Sequence, residues 1–350
     1  MKKPIIALLL IFSTLFILSC NNTPSASTPE ATPEETPCTD HTFGEWETVK
    51  EPTCLEGGTE SRICQNCGFS EERATEAVDH LYSEWEVVEK ATIYVRGKER
   101  CACIYCNEEK TRNTDRVEKL SSKPVFNFQN KYDNASPRIY RTQGGCFDGT
   151  NFYQALISKN EEIAVILKKN IETGETIYSE PRPMKHANDV TYNSKTNMIY
   201  VCEAGVNVYI YNADTLEFVK SVTLPYGISA ISYNEHDNTF VGLAGTKNYY
   251  YSSSFNYIRD MTLQERGATS QGMCSDEKYV YNLYCKSLGE GSYDTYIIIH
   301  THKGVYINTV EVSIANKREP ENISIIDGVM YIECPTGTPS GTIFQVLMPD

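Results

Sequence analysis

Beyond residue 120 the chain alternates apolar and polar positions in short runs, each bounded by turn residues. Between His186 and Leu224 four runs follow in succession: Asp189 to Tyr192, Met198 to Glu203, Asn207 to Asn212 and Phe218 to Leu224. They are rich in β-branched and aromatic side chains, and the segments between them, from Asn193 to Asn197, Ala204 to Gly205 and Ala213 to Thr215, have the composition of turns. Four strands closed by tight turns predict one antiparallel sheet. The pattern returns with variations across the last two thirds of the chain, so each sheet is expected to be a blade of a β-propeller.

The blades can be put in register. Asp148, Asn193, Asn234, Asp276 and Asp327 each lie five residues after a polar one, namely Gln143, Asn188, Ser229, Gln271 and Asn322. An aromatic residue opens the following strand at Phe152, Tyr200, Phe240, Tyr279 and Tyr331. The steps of 45, 41, 42 and 51 residues between registers predict about five four-stranded blades over residues 119–350. The fourth holds the longest insertion, Ser287 to Ser292. The fifth looks short, and Val125 to Phe128, ahead of the first blade, is expected to complete it and remove an exposed edge. A β-sandwich is the competing architecture for short strands at such spacing. The region resembles bacterial surface propellers of the YVTN and NHL kind, with Tyr200-Val201 and the strand and turn grammar around it as the nearest features.

Upstream lies a repeat with a period of 39. His41, Phe43, Trp46, Cys64 and Cys67 recur as His80, Tyr82, Trp85, Cys103 and Cys106, and Gly58 recurs as Gly97. Each copy reads as a strand around its tryptophan, a hairpin near the glycine and a second strand running into C-x-x-C. A 39-residue unit is too small for a self-sufficient core, so a metal or disulfides should hold it. The first copy offers His41, Cys54, Cys64 and Cys67, a tetrahedral zinc set. The second has Ile93 in place of Cys54 and an additional Cys101. A hairpin loop over Arg96 to Lys98 would set 93 and 101 opposite each other, giving His80, Cys101, Cys103 and Cys106. Disulfides are the alternative in an oxidising compartment, and a single site from Cys64, Cys67, Cys103 and Cys106 is a third arrangement. Any such zinc would be structural, because four protein ligands leave no open position. The repeat resembles H-x4-W…C-x-x-C modules found in tandem, zinc-ribbon-like, in surface proteins of anaerobic and Gram-positive bacteria.

The first 40 residues have a different character. Lys2 and Lys3 precede an apolar run from Ile5 to Leu18, too short for a membrane span of about 20 residues. The run ends in Ile17-Leu18-Ser19-Cys20 and resembles a bacterial lipoprotein signal. That resemblance implies a signal over residues 1–19, lipidation of Cys20 and a lipid-anchored, extracytoplasmic protein. Residues 20–40 then carry four prolines, five threonines and only acidic charges, as expected of an extended tether. The Cys-rich repeats occupy residues 41–118.

Composition narrows the partners. A net charge of -14 and a pI near 5.0 oppose nucleic acid and anionic membrane surfaces. The 24 tyrosines against 12 phenylalanines suit strands with a wet end or face. Chemistry is sparse: no G-x-S-x-G, H-E-x-x-H or phosphate loop is present. Cys146, Cys202, Cys274, Cys285 and Cys334 fall on expected strands as small apolar side chains.

In a propeller the innermost strands surround a channel, so Gln143, Asn188, Ser229, Gln271 and Asn322 are expected to form a ring, with His186, Asp189, Glu319 and Glu321 beside it. Such a ring could hold a polar ligand, a sugar or a peptide, or simply hydrate the channel. Gly145, Val190, Ile231, Met273 and Ser324, two positions on, should lie a layer deeper. The sequence therefore points to a non-catalytic binding or interaction module on the cell surface. The alternative is an extracytoplasmic hydrolase or lyase using acids such as Asp189, Glu319 and Glu321 on a glycan.

Overall fold

The computed structural model describes residues 39–129, 132, 138–264, 268–337 and 340–349; the signal, Cys20 and most of the tether lie outside the described residues. The contacts separate a first unit ending at His80 from a second, Leu81–Asp350.

The first repeat is a three-stranded antiparallel sheet of β1 (Glu47–Lys50), β2 (Thr59–Ile63) and β3 (Ser70–Ala74), in that order. It is therefore not a simple hairpin, because C-x-x-C is the tight turn between β2 and β3. Gly68 N donates to Cys64 O at 2.9 Å and Cys64 N to Phe69 O at 2.7 Å. The Arg62 and Arg73 guanidinium groups lie over the Trp46 ring at 4.6 and 4.3 Å, two cation–π contacts on an otherwise exposed sheet.

The second repeat has the same form, with β4 (Glu86–Glu89), β5 (Lys98–Ala102) and β6 (Glu109–Asn113). Glu89 pairs with Lys98, so the connection spans Lys90 to Gly97. This corrects the shorter loop read from the sequence: Ile93 sits at the loop and does not face Cys101. The loop is a turn built on Thr92, whose hydroxyl accepts from the amides of Tyr94 and Val95 at 3.1 and 3.0 Å. Ile93, only 2% exposed, joins the apolar layer between the fourth and fifth blades. Tyr94 stacks on Tyr279 at 4.7 Å, and Asn308 Nδ2 donates to the carbonyls of Ile93 and Val117 at 3.0 and 2.9 Å. These contacts place the second repeat in the same compact unit as the propeller.

The propeller begins with β7 (Lys119–Gln129). Blade one is β8 (Ile139–Phe147), β9 (Asn151–Ser158), β10 (Ile163–Asn170) and β11 (Thr176–Tyr178), with β12 (Arg182–Pro183) also pairing to β10. Blade two is β13 (Ala187–Asn193), β14 (Met198–Glu203), β15 (Gly205–Asn212) and β16 (Phe218–Ile228), close to the four runs expected there. Blade three is β17 (Ala230–Asn234), β18 (Thr239–Ala244), β19 (Lys247–Ser252) and β20 (Tyr257–Thr262). Blade four is β21 (Thr269–Ser275), β22 (Tyr279–Gly289), β23 (Ser292–Thr301) and β24 (Tyr306–Ser313). Its insertion is no loose loop: Ser287 pairs with Tyr293 and Gly289 with Ser292, so it lengthens a hairpin whose turn is Glu290-Gly291.

Blade five is β25 (Asn322–Ile326), β26 (Val329–Gly337), β27 (Ser340–Leu347) and, as its outermost strand, β7. The segment expected to close the blade does so, with Phe126 opposite Ile343 and Phe128 opposite Gly341. The start of β7 also pairs in parallel with β24, Lys119 to Ser121 against Glu311 to Ser313, linking blades four and five into one eight-stranded sheet.

The inner strands β8, β13, β17, β21 and β25 contact one another in a closed cycle, so the described residues form a five-bladed β-propeller. Buried side chains between neighbouring blades hold the cycle: Tyr153 and Ile166 against Val190 and Val201, Tyr200 against Ile231 and Phe240, Val241 against Met273 and Val280, Leu283 against Ile323 and Ile332. Phe128, Phe152 and Ile343 close the last gap, between blades five and one. Side chains of alternate parity on each strand face opposite neighbours, which is why the inner strands read as near-continuous apolar runs. No helix among the described residues is long and apolar enough to cross a membrane.

Candidate functional site: the axial funnel and a cysteine–histidine group

Where the five inner strands end in their turns they leave a funnel of about 760 Å³. Its wall carries the hydroxyls of Thr191, Ser232, Ser275 and Ser324, and its mouth carries Glu235, Glu277 and Asp327, while no described lysine or arginine lines it. Two further acids at the mouth are already engaged. Asp148 accepts from the amides of Thr150 and Asn151 and from Tyr153 OH, and Asp276 does the same for Lys278, Tyr279 and Tyr281 OH. Each thus caps its own turn. Ser232 and Ser275 hydroxyls lie 2.8 Å apart across neighbouring blades. Cys146 and Cys274 also line the funnel, and burial pushes both thiols well above the ordinary range, so they are inert polar wall.

Directly behind the lining, the axis is braced by one carboxyl. Asp189, fully buried, accepts from Val190 N at 2.9 Å, Ile231 N at 2.9 Å and Asn322 Nδ2 at 2.8 Å, so blades two, three and five meet on it. The strands come this close because Gly144 and Gly272 have no side chain. A Cβ on Gly144 would sit 2.6 Å from Asp189 Oδ1, and one on Gly272 2.9 Å from Asn322 Cα. Burial raises the Asp189 carboxyl to about 8 despite these donors. Burial and then the Glu319 charge bring Glu321 to about 8, and burial followed by Glu321 raises Glu333 well above its ordinary value. Gln154 donates to one Glu333 oxygen; the other has no hydrogen-bond partner among the described residues.

The polar positions expected to form a ring lie at the opposite ends of the inner strands from the funnel. None of them lines it. Asn188 donates to Ser229 O, Ser229 Oγ donates to Leu243 O at 3.2 Å, and Gln271 Nε2 donates to Glu319 at 2.8 Å. Gln143, buried, donates to the neighbouring Thr142 carbonyl at 3.0 Å, and Asn322 is bound to Asp189. His186 Nδ1 meets Glu161 at 2.6 Å, and Arg141 pairs with the same carboxylate. Gln143, Asn188 and Gln271 fall within register shifts of β8, β13 and β21, where an additional residue breaks the even spacing. Of the next layer, Gly145, Val190, Met273 and Ser324 do line the funnel, while Ile231 is packed into the core between blades two and three.

In the first repeat His41, Cys64 and Cys67 bring one ligand atom each within 4.8 Å of one another, and Cys67 Sγ lies 3.4 Å from His41 Nδ1. Burial works to raise the Cys64 thiol, but hydrogen bonds from the Asn66 amide, His41 and Cys67 bring it down to about 6. A thiol of that kind next to a second thiol and an imidazole suits zinc. Cys54 is buried but its thiol is not among the three that converge with His41, a correction to the four-residue set read from the sequence: the loop between β1 and β2 carries it away from the turn that holds Cys64 and Cys67. In the second repeat the turn from Cys103 to Asn107 repeats that from Cys64 to Gly68, and Tyr82 bridges to Cys103 as Phe43 does to Cys64. The 39-residue period gives His80, Cys103 and Cys106 the places of His41, Cys64 and Cys67. Cys101 joins no ligating group among the described residues: it is buried on β5, opposite Lys110.

Fold and site define a five-bladed β-propeller with a polar axial funnel. No family model and no curated protein matches the chain. Among solved structures it is similar to glutaminyl cyclase of Myxococcus xanthus, at 11% identity and a TM-score of 0.46, over 66% of this chain and 98% of that one. It is also similar to BamB of Moraxella catarrhalis, at 9% and 0.34 over 83% and 82%, and to the RRP9 WD40 repeats, at 9% and 0.36 over 59% and 79%. The propeller itself rests on the strand topology above.

Proposed function

We propose that the chain is a lipid-anchored, extracytoplasmic binding protein. On this reading Cys20 carries the acyl chains, residues 21–40 are a tether, metal-held Cys-rich repeats form a spacer, and the propeller is the head that binds. The observation that carries the binding role is the funnel: hydroxyls on its wall, unneutralised acids at its mouth and a buried brace behind it. Convergent polar groups in a concave site fix the orientation of a small ligand. Acids without a basic partner disfavour anions, so the chemistry fits a neutral sugar or the polar and basic side chains of a peptide.

The test is a glycan and peptide binding screen on residues 21–350, repeated with Glu277→Gln/Asp327→Asn at the mouth and with Asn188→Ala at the far end of the channel. Binding that weakens in the first variant and survives in the second supports the reading; the reverse overturns it. Mass spectrometry of the membrane-extracted protein tests the anchor separately. An acylated Cys20 at the mature N-terminus is expected, and an unmodified Cys20 still preceded by its signal refutes it.

A further inference from the structure

The charge around the funnel restricts what can enter it. Five carboxyl side chains, Asp148, Glu235, Asp276, Glu277 and Asp327, belong to its lining, and no described lysine or arginine joins them. Turn amides donate to Asp148 and Asp276, and Ser194 Oγ donates to Glu235 at 2.8 Å, but none of these donors removes a charge. The nearby Lys195 spends its ammonium on the Glu235 main-chain carbonyl at 2.6 Å, and His236 lies 3.7 Å from Asp237. A concave wall of low dielectric focuses such a field on whatever occupies the space. Below the mouth, Ser324 Oγ donates to Asn322 Oδ1 at 3.0 Å, so its oxygen can only accept from a ligand. The rings of Tyr192 and Tyr233 and the apolar side chains of Val190 and Met273 complete the wall.

We infer that the funnel takes its ligand through a primary ammonium on an alkyl stem, the chemistry shared by a lysine side chain and a free aliphatic polyamine. The inference rests on the reading that the funnel is the binding site, and adds what that site selects. The acids call for positive charge, Ser324 calls for a hydrogen-bond donor, and the apolar and aromatic wall calls for methylenes and accepts a cation over a ring face. An alkylammonium meets all three demands. A neutral sugar offers a hydroxyl to Ser324 but leaves the like charges at the mouth unrelieved. A quaternary ammonium has no N–H to give. A bare metal ion has no use for the apolar wall, and among the described residues no three of the funnel's acids converge as metal ligands do.

Residues 21–350 are titrated calorimetrically with 1,5-diaminopentane, a blocked lysine tripeptide, the same tripeptide acetylated on its side-chain nitrogen, and maltotriose. The diamine, the lysine peptide or both should bind, and which of them does so separates a free amine from a peptide as the source. The acetylated peptide should not bind. Affinity should fall about tenfold or more between about 0.1 and 1 M salt, as the screening length shrinks from about 10 to about 3 Å. It should fall comparably in Glu277→Gln/Asp327→Asn and be lost in Ser275→Trp. If maltotriose or the acetylated peptide binds without salt dependence and is blocked by Ser275→Trp, the funnel stands as the site and the ammonium assignment is overturned. Amine binding that survives both variants lies elsewhere on the acidic surface and overturns the funnel reading together with the assignment. Failure of every probe to bind the parent protein overturns the assignment alone.

Discussion

Truncating Ile93 asks whether the second repeat is fastened into the propeller. Ile93 is 2% exposed among Leu120, Leu283, Val310 and Val346, the layer shared by blades four and five. Full burial of an isoleucine contributes about 1.5–3 kcal/mol by transfer alone. Ile→Ala in a core costs about 2–5 kcal/mol once the residual cavity is included. The loop cannot readily collapse into the space, because Asn308 holds the Ile93 carbonyl and Thr92 caps the turn. The expected loss for Ile93→Ala is therefore in the middle of that range, about 3–4 kcal/mol. At about 2–4 °C per kcal/mol, the melting midpoint of the propeller should fall by roughly 6–16 °C. Tyr94→Phe is the control. It removes one hydroxyl bonded to Tyr281 OH at 3.0 Å and keeps the stack on Tyr279, for about 0.5–1.5 kcal/mol. Differential scanning calorimetry of both variants decides it. An Ile93→Ala midpoint within a degree or two of the parent, or a larger loss in Tyr94→Phe, would refute the packing argument.

Other outcomes follow from the same geometry. Met273→Ala and Ile231→Ala should each cost about 2–5 kcal/mol in urea unfolding, since both fill layers between blades; a loss under 1 kcal/mol would mean those layers are loosely packed. The carboxyls of Asp189 and Glu321 are raised to about 8 in the folded protein from ordinary values of 3.8 and 4.5, so the folded state holds protons there that the unfolded state has lost. Their contribution to stability is complete below about pH 4 and is lost as pH rises through 8. Asp189→Asn should flatten the fall in urea midpoint between pH 5 and 8, and an unchanged slope would count against it. A chelator should expose residues 41–80 to protease while the propeller strands stay protected; equal protection with and without chelator would contradict the metal role.

Much of the architecture was legible because propeller blades obey local rules. Turn residues at Asn193, Asn234 and Asp276 cap their own hairpins, and the aromatic and β-branched runs after them pair with immediate neighbours, so pattern and contact coincide. The closing strand around Val125 to Phe128 could be inferred from a shortage in blade five, as an unpaired outer edge is costly. What the pattern hid was register at the axis. The additional residues near Gln143, Asn188 and Gln271 are bulges, and a bulge changes which side chain faces inward without changing composition. The funnel's hydroxyls were visible only as ordinary strand serines, apart from Ser324, which the period-two step from Asn322 reached. In the repeats, the period and the places of the cysteines and histidines were readable, but the path of the loop from Lys90 to Gly97 was not. Nothing local in Ile93 distinguishes a hairpin position from an anchor in another domain's core.

The account turns on the funnel being the binding site, and filling it is the most direct test. Ser275 is half-buried on the funnel wall in blade four, and Ser275→Trp places an indole into a space of about 760 Å³ without touching the Asp189 brace. Calorimetry first establishes that the variant melts as the parent does; binding of the glycan or peptide selected by the screen is then measured on both. The account predicts that the tryptophan abolishes binding while folding is kept. Binding at parental affinity to the folded Ser275→Trp protein would contradict it and place the ligand elsewhere on the propeller.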